Sequence, residues 1–389
     1  MAMKNSRRLV VVPTDPIAAY ERAGYDWLER YFNPSHLFDE VFALSPMETG
    51  ERKAWGMTIR GVPKDKFAQA LREIQPDVVR AYGGFWPADL ACLNRIPGVP
   101  VVVSVHDTRP ELMHKSLRYA DLVICLTREV EKRVLAVGTS PSRIRRLPNR
   151  IDTRHFHPIP QDERIQSIAS RFPAGKHILQ VGRKCHEKNL DTIIRALTLL
   201  PKDYFAIFVG NGDPTPYVSM AEKEGVGNRC FWIPSIKNSE LPLWYSWCDC
   251  FCLPSRFPSE GFPIVSIEAA ACGAPMVVSD IPPMNEYMKN DESACLVKEY
   301  EDPLILARAI EKTCGNPAYR RKISEGAHQM AQQFDLQAID AVEVGIYREA
   351  MNLGKPPLSR RFELGIRNTQ HQLAQTSFGL QLKRILGRP

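Results

Sequence analysis

Glu260 and Glu268 stand with seven residues between them, and the chain between them turns from a loop into an apolar run. The loop reads Pro254-Ser255-Arg256-Phe257-Pro258-Ser259-Glu260-Gly261-Phe262-Pro263, and a helix is predicted over Ile264–Cys272. Carboxylates in such places accept hydrogen bonds from hydroxyl groups, as a sugar or a ribose requires. Gly261 permits an unusual backbone conformation or a close approach. Pro263 suits the first helical turn. The free N–H groups and positive dipole end at Ile264 suit a diphosphate. Taken singly, the two acids also read as ordinary helix-start carboxylates favoured by the dipole.

A second cluster is cationic: Gly182-Arg183-Lys184-Cys185-His186-Glu187-Lys188-Asn189-Leu190-Asp191. Arg183 and Lys188 are five residues apart, between a predicted strand and a predicted helix. Two cations there neutralise a diphosphate and stabilise it as it departs. As isolated residues they read equally as solvated surface charges. His106-Asp107 follows another predicted strand, so His106 is expected near a ligand, with a purely structural histidine as the alternative. Gly210-Asn211-Gly212-Asp213 is a further turn after a strand. Tyr82-Gly83-Gly84-Phe85-Trp86 is another, where Gly83, Gly84 and Trp86 are expected to line an acceptor side. Core packing is the alternative for its aromatics.

The elements that must hold these residues follow from the hydrophobic pattern. Apolar, β-branched runs occur at Leu9–Val12, Glu40–Leu44, Val78–Ala81, Val101–Val105 and Leu122–Leu126. They recur at Ile178–Val181, Ala206–Val209, Cys230–Ile233, Cys250–Leu253, Met276–Ser279 and Cys295–Val297. Near-continuous apolar strands alternating with helical segments predict parallel sheets covered on both faces. Two such series predict an α/β chain of two doubly wound domains, with ligands at the carboxyl ends of the strands. Prolines cluster at Pro148, Pro158, Pro160 and Pro173 around the expected junction. A last helix is expected from Leu336 to about Leu353. Gly354-Lys355-Pro356-Pro357 breaks it. A tail follows with Arg360, Arg361, Arg367, Lys383, Arg384 and Arg388 against the single acid Glu363.

With these residues in view, Pro254–Asp280 resembles the C-terminal signature of the family 4 retaining glycosyltransferases, also called group 1. Glu260-Gly261-Phe262, Glu268-Ala269-Ala270-Ala271-Cys272-Gly273-Ala274-Pro275 and Ser279-Asp280 carry the resemblance. Gly182-Arg183…Glu187-Lys188-Asn189 resembles a second element of that family, and Pro148-Asn149-Arg150-Ile151-Asp152 a third, with Arg150 where the family has glycine. The resemblance implies the GT-B fold, two Rossmann-like doubly wound domains facing a central cleft. The expected division is 1–165 for the acceptor-side domain, 166–353 for the nucleotide-sugar domain with its last helix returning, and 354–389 for the basic tail. It implies Glu260, His106, Arg183 and Lys188 as catalytic residues. Donor binding falls to Arg183, Lys188, Gly210, Gly261, Phe262, Ile264 and Glu268, with Glu268 on the ribose. Two departures stand out. Pro263 replaces a common glycine and removes one N–H. Pro13-Thr14-Asp15-Pro16 stands where the family has paired glycines, with Gly24 later.

The implied reaction transfers a sugar, with retention, from a nucleoside diphosphate sugar to a hydroxyl on a glycan, a lipid-linked saccharide or another glycoconjugate. No cofactor is expected, and no metal, because no Asp-x-Asp element is present. Rivals on the same fold are a sugar-nucleotide epimerase and a phosphorylase; the non-enzymatic rival is a sugar-binding protein. The net charge of +7 suits an anionic ligand or membrane face and is too small to argue for nucleic acid. The tail reads either as a peripheral contact with an anionic membrane or as a solvated extension. No apolar run is long enough to span a bilayer. The ten cysteines include no Cys-x-x-Cys pair and read as reduced, buried thiols, so a cytoplasmic protein, peripheral at most on the inner membrane face, is expected.

Overall fold

The computed structural model describes residues 6–22, 28–258, 260–353 and 358–374. The chain divides into two compact units at Leu147/Pro148 and again at Ile339/Asp340, where it returns to the first unit. The sequence expectation puts the boundary at 165/166, in a proline-rich junction that begins at Pro148, with the last helix of 166–353 returning toward the first domain. Of the residues read from the sequence, Lys4, Gly24, Ser259, Lys383, Arg384, Arg388 and the Gly354–Pro357 break lie outside the described residues.

Among the described residues the first unit holds an eight-stranded sheet. Its strands are β1 (Arg8–Val12), β2 (Glu40–Ser45), β3 (Glu51–Ala54), β4 (Met57–Gly61), β5 (Val78–Tyr82), β6 (Val101–Val105), β7 (Leu122–Cys125) and β8 (Ile144–Arg146). Their order is β3-β4-β2-β1-β5-β6-β7-β8, and all pairs are parallel except β3–β4. Residues Leu9 to Val12 are fully buried, as a strand covered on both faces demands. The β3–β4 hairpin was absent from the sequence reading. Ala54 pairs with Met57, so the loop is Trp55-Gly56, and both central residues have positive φ (51° and 81°). That is the two-residue geometry that matches strand twist. β3 reads Glu-Arg-Lys-Ala and is an edge strand, where charge discourages further pairing. Its charge hid it from a search for apolar runs.

The second unit holds six parallel strands among the described residues: β9 (Lys176–Val181), β10 (Tyr204–Val209), β11 (Cys230–Ile233), β12 (Cys250–Leu253), β13 (Met276–Ser279) and β14 (Cys295–Val297). The order is β11-β10-β9-β12-β13-β14. The chain builds outward through β10 and β11, then restarts on the other side of β9 with β12. β9 and β12 therefore flank the point where strand order reverses, the place where open α/β sheets bind ligands. The helix Leu190–Leu199 buries Leu190, Ile193, Ile194 and Leu197 in the core that covers Ile178, Phe208, Cys250 and Cys252. Cys248 caps the helix Leu241–Trp247, and the strand begins only at Cys250.

The helix Leu336–Asn352 carries the chain back. Within the first unit its Tyr347 is fully buried and packs edge-on to Phe38, with ring centroids 5.3 Å apart. Of the tail, Leu358–Ala374 forms a helix within the first unit. Asn368 Nδ2 donates to the Arg95 carbonyl at 3.0 Å, and Leu364 packs against the core. No described helix is long and apolar enough to cross a membrane.

Candidate functional site

Four loops leave the carboxyl ends of the adjacent strands β10, β9, β12 and β13. Three of them carry motifs singled out from the sequence: Gly210–Asp213, Gly182–Asn189 and Pro254–Pro263. Their approach is close enough to require glycine. Gly182 N–H donates to the Val209 carbonyl at 2.9 Å, and Gly210 N–H donates to that of Ile233 at 3.2 Å. Gly210 has φ +139°, and a Cβ there would lie 2.1 Å from the Gly182 carbonyl oxygen. The sequence reading placed both glycines correctly after strands, but their mutual contact belongs to the tertiary structure.

Lys188 and Glu260 come together across this loop pair. Lys188 Nζ donates to Glu260 Oε1 at 2.5 Å, and the side chains are 15% and 7% exposed. The ammonium has three donors, so two remain for other acceptors. The connection is fixed from behind by Asn189. That residue is fully buried and takes the left-handed conformation (φ 55°), which asparagine tolerates better than most. Its Nδ2 donates to the carbonyls of Pro254 (2.9 Å) and Tyr300 (3.0 Å), and its Oδ1 accepts from Thr192 Oγ1. Asn189 thus locks the Lys188 loop onto the Glu260 loop. Arg256 strengthens the same junction through a bidentate pair with Asp191, at 2.9 and 3.1 Å, and a bond to the His186 carbonyl. Arg183 is exposed, with no hydrogen bond or ion pair among the described residues.

Lys184 was not singled out by the sequence reading. It is 7% exposed, its backbone N–H donates to the Asn211 carbonyl at 2.7 Å, and its ammonium bonds the carbonyls of Gly210 and Ile233. Burial holds that ammonium below its ordinary pKa. Lys184 braces the two glycine turns, a role that no spacing in the sequence signals.

The helix after β12 runs Ile264–Ala271. Pro263 caps it from outside, with φ −76° and ψ 91°, rather than occupying the first turn as expected. The Ser266 N–H and hydroxyl both donate to the Pro263 carbonyl. Gly261 is buried, and Ile264 is half-buried at the first helical position. The Phe262 side chain stacks in an aromatic group with Tyr287 (5.3 Å) and Phe334 (5.5 Å). Its ring is therefore a packing anchor, and only its backbone is left for a ligand. Glu268 is 5% exposed and its Oε2 accepts from the Tyr245 hydroxyl at 3.1 Å. Burial pushes its pKa up to about 7, against the lowering effect of hydrogen bonds from Tyr245 and Asn238. Among the described residues no group of three or more His, Cys, Asp or Glu is placed to hold a metal ion.

In the first unit, His106 follows β6 directly. Its Nε2 lies 2.7 Å from Ser104 Oγ, and its ring is 5.9 Å from that of Tyr82. Asp107 is engaged by Arg109, 2.7 Å away. Gly83 has φ +105°, and a Cβ on Gly84 would lie 2.9 Å from the Leu112 carbonyl oxygen. Trp86 opens the helix Trp86–Leu93 and packs half-buried against the core, the second of its two sequence readings. Thr14, in the Pro13–Pro16 turn, donates from Oγ1 to the Tyr82 carbonyl at 2.8 Å and so ties the ends of β1 and β5.

Comparison with known proteins adds the following. The model of glycosyl transferases group 1 matches residues 162–330, and that of glycosyltransferase family 4 matches residues 10–155. A D-inositol 3-phosphate glycosyltransferase of Xylanimonas cellulosilytica is 26% identical over 59% of this chain and 57% of its own length, so the chain spans little more than half of that relative. One from Catenulispora acidiphila is 26% identical over 76% of this chain and 80% of its own. Among solved structures, Anabaena HepE in complex with UDP superimposes with a TM-score of 0.74 at 18% identity, over 88% of this chain and all of its own. Sucrose-phosphate synthase from Thermosynechococcus elongatus gives 0.69 at 17% identity, over 88% and 99%. These likenesses make the fold GT-B.

Proposed function

This chain belongs to the group 1, family 4 glycosyltransferases, and we propose that it moves a sugar with retention from a nucleoside diphosphate sugar to the hydroxyl of a glycan, lipid-linked saccharide or other glycoconjugate. The observation that carries this reading is the Lys188–Glu260 pair, held at 2.5 Å where the strand order reverses and beside glycine turns that bring backbone amides close.

In this reading Glu268 accepts hydrogen bonds from the ribose hydroxyls. Arg183, Lys188 and the N-terminus of the helix beginning at Ile264 hold the diphosphate. The Gly210 turn lies toward the base. Glu260 and His106 orient the donor sugar. The bond between the anomeric carbon and the diphosphate oxygen breaks, and the diphosphate leaves with the electron pair. The acceptor oxygen bonds the same face of that carbon, and its proton passes to the departing diphosphate. Arg183 and Lys188 stabilise the charge that develops on the leaving group, which costs little reorganisation because Asn189 and Arg256 have fixed the loops beforehand. The UDP and UDP-glucose complexes of HepE make uridine donors the first to test.

A thermal-shift screen over UDP-, GDP-, ADP- and dTDP-sugars tests the reading. A true donor raises the unfolding midpoint by mass action, and NMR of the product reports the anomeric configuration. The absence of a shift with every donor, or an inverted product, overturns it.

A further inference from the structure

We propose that the helix Leu358–Ala374 is a docking surface for an anionic membrane, and that its outer face lies along the lipid interface. The surface goes beyond sugar transfer and does not depend on it. The fold treats the two faces of this helix differently. Leu364, Asn368 and His371 stand four and three residues apart and so share one face. That face turns toward the first unit. Leu364 packs against the core, Asn368 Nδ2 donates to the Arg95 carbonyl at 3.0 Å, and His371 Nε2 lies 3.5 Å from Asn94 Nδ2. Phe362, Ile366 and Leu373 stand four and seven residues apart, which sets them in one row on the opposite face. They are 72%, 41% and 60% exposed.

Single exposed apolar side chains are ordinary; a row of large ones is not. Phe362 and Leu373 are the two most exposed large apolar side chains among the described residues, and both belong to this row. At about 1.5 Å per residue the row runs about 16 Å along the helix. Charge decides what fits it. Residues 358–389 carry Arg360, Arg361, Arg367, Lys383, Arg384 and Arg388 against the single acid Glu363. That acid is already engaged by Arg118 at 3.6 Å. A second copy of the chain laid on this face would set cation against cation, whereas anionic headgroups neutralise the cations and accept the apolar row. An apolar outer face among basic residues is the pattern of a helix that lies in the plane of the interface. It does not cross, since no described helix is long and apolar enough to do so. In sequence the pattern continues past the described residues, with Phe378, Leu380, Leu382, Ile385 and Leu386 among three cations and no acid.

Co-sedimentation of the full chain with phosphatidylcholine vesicles, with and without phosphatidylglycerol, tests this. The chain is expected to sediment with the anionic vesicles and to be released by salt. F362Q/I366Q keeps good helix formers and leaves the inner face untouched, and it is expected to weaken partitioning at least about tenfold, the scale of withdrawing one large apolar side chain from the interface. R360Q/R361Q/R367Q is expected to weaken it at least about tenfold as well. Nucleotide binding in both variants should match the parent. Insertion is read separately on F362W, which leaves the row apolar: relative to the parent, its added fluorescence should shift to the blue and be quenched by brominated lipid in anionic vesicles alone. Failure of the parent to sediment, equal sedimentation with neutral vesicles, undiminished binding in F362Q/I366Q, or no added quenching in F362W overturns the proposal. A dimer seen by analytical ultracentrifugation that dissociates in F362Q/I366Q, without vesicle binding, gives the face to a second copy and overturns it too.

Discussion

Glu268 has a pH signature that an exposed acid would lack. Burial raises its pKa in the folded chain to about 7, above its ordinary 4.5. The folded state therefore holds the proton more tightly than the unfolded state does. The penalty for ionising the buried group is absent below pH 4.5, grows as pH rises, and is complete above about 7, where it costs about 3 kcal/mol. Nearby Tyr245, Cys248 and Cys272 are all pushed upward and do not titrate in this window. Glu268→Gln is therefore expected to gain stability over the parent between pH 5 and 8, measured by urea unfolding at each pH. Ribose hydroxyls favour the ionised form, so nucleotide affinity should strengthen as pH rises through 7 and become flat in Glu268→Gln. A pH-independent affinity in the parent would remove the ribose from Glu268. Lys188→Ala is expected to lower kcat by about 100- to 1,000-fold, the scale of losing one transition-state donor. Near-normal turnover in steady-state assays would take Lys188 out of the site.

Among the elements, the strand-end turns are the sensitive parts. Gly210→Ala places a Cβ 2.1 Å from the Gly182 carbonyl oxygen at a φ that alanine rarely adopts. The two turns must part, and the expected loss is on the order of 3 kcal/mol of stability, with donor binding falling as well. Gly225→Ala also has a positive φ (+71°), in the milder left-handed region, and meets nothing within 4 Å, so it serves as the control for left-handed strain without a clash. Equal losses from the two variants, measured by chemical denaturation, would mean that the Gly210–Gly182 contact carries nothing special. Asn189→Ala should loosen the Lys188 loop without removing any group assigned to the donor. KM is then expected to rise more than kcat falls.

At the scale of the molecule, the chain's return into the first unit is fixed by a buried charge. Arg80 on β5 meets Glu343 of the returning helix at 3.1 Å, with side chains 3% and 2% exposed. Arg80 also lies 4.8 Å from the Tyr82 ring centroid and 5.9 Å from that of Tyr347. Burial alone would lower its pKa, and the surrounding Tyr347, Tyr82 and Glu343 more than reverse that, so the guanidinium stays charged. Removing one partner strands the other charge. Glu343→Leu is expected to cost about 3–5 kcal/mol, and Arg80→Met/Glu343→Leu should recover most of it. A double variant no more stable than the single one, by thermal unfolding, would show that the pair is not the seat of the loss.

The sequence by itself determined the alternation of strands and helices, because strands buried on both faces must be apolar along their whole length, as Leu9–Val12 and Cys250–Leu253 are. It also determined that Arg183, Lys188, Glu260 and Glu268 follow strand ends, since a glycine or proline turn marks each end. What it missed was local charge in structured places. The β3–β4 hairpin and the helix Leu358–Ala374 carry too many charges for a pattern of apolar runs to detect. Only the tertiary structure decided that Lys188 reaches Glu260, that Lys184 and Asn189 brace the turns, and that Phe262 packs inward. Those outcomes depend on which strands are neighbours, and the order β9-β12 is fixed by long-range pairing that no local spacing encodes. Burial itself is such an outcome. Glu268 has the pKa of an ordinary acid until the fold removes its water.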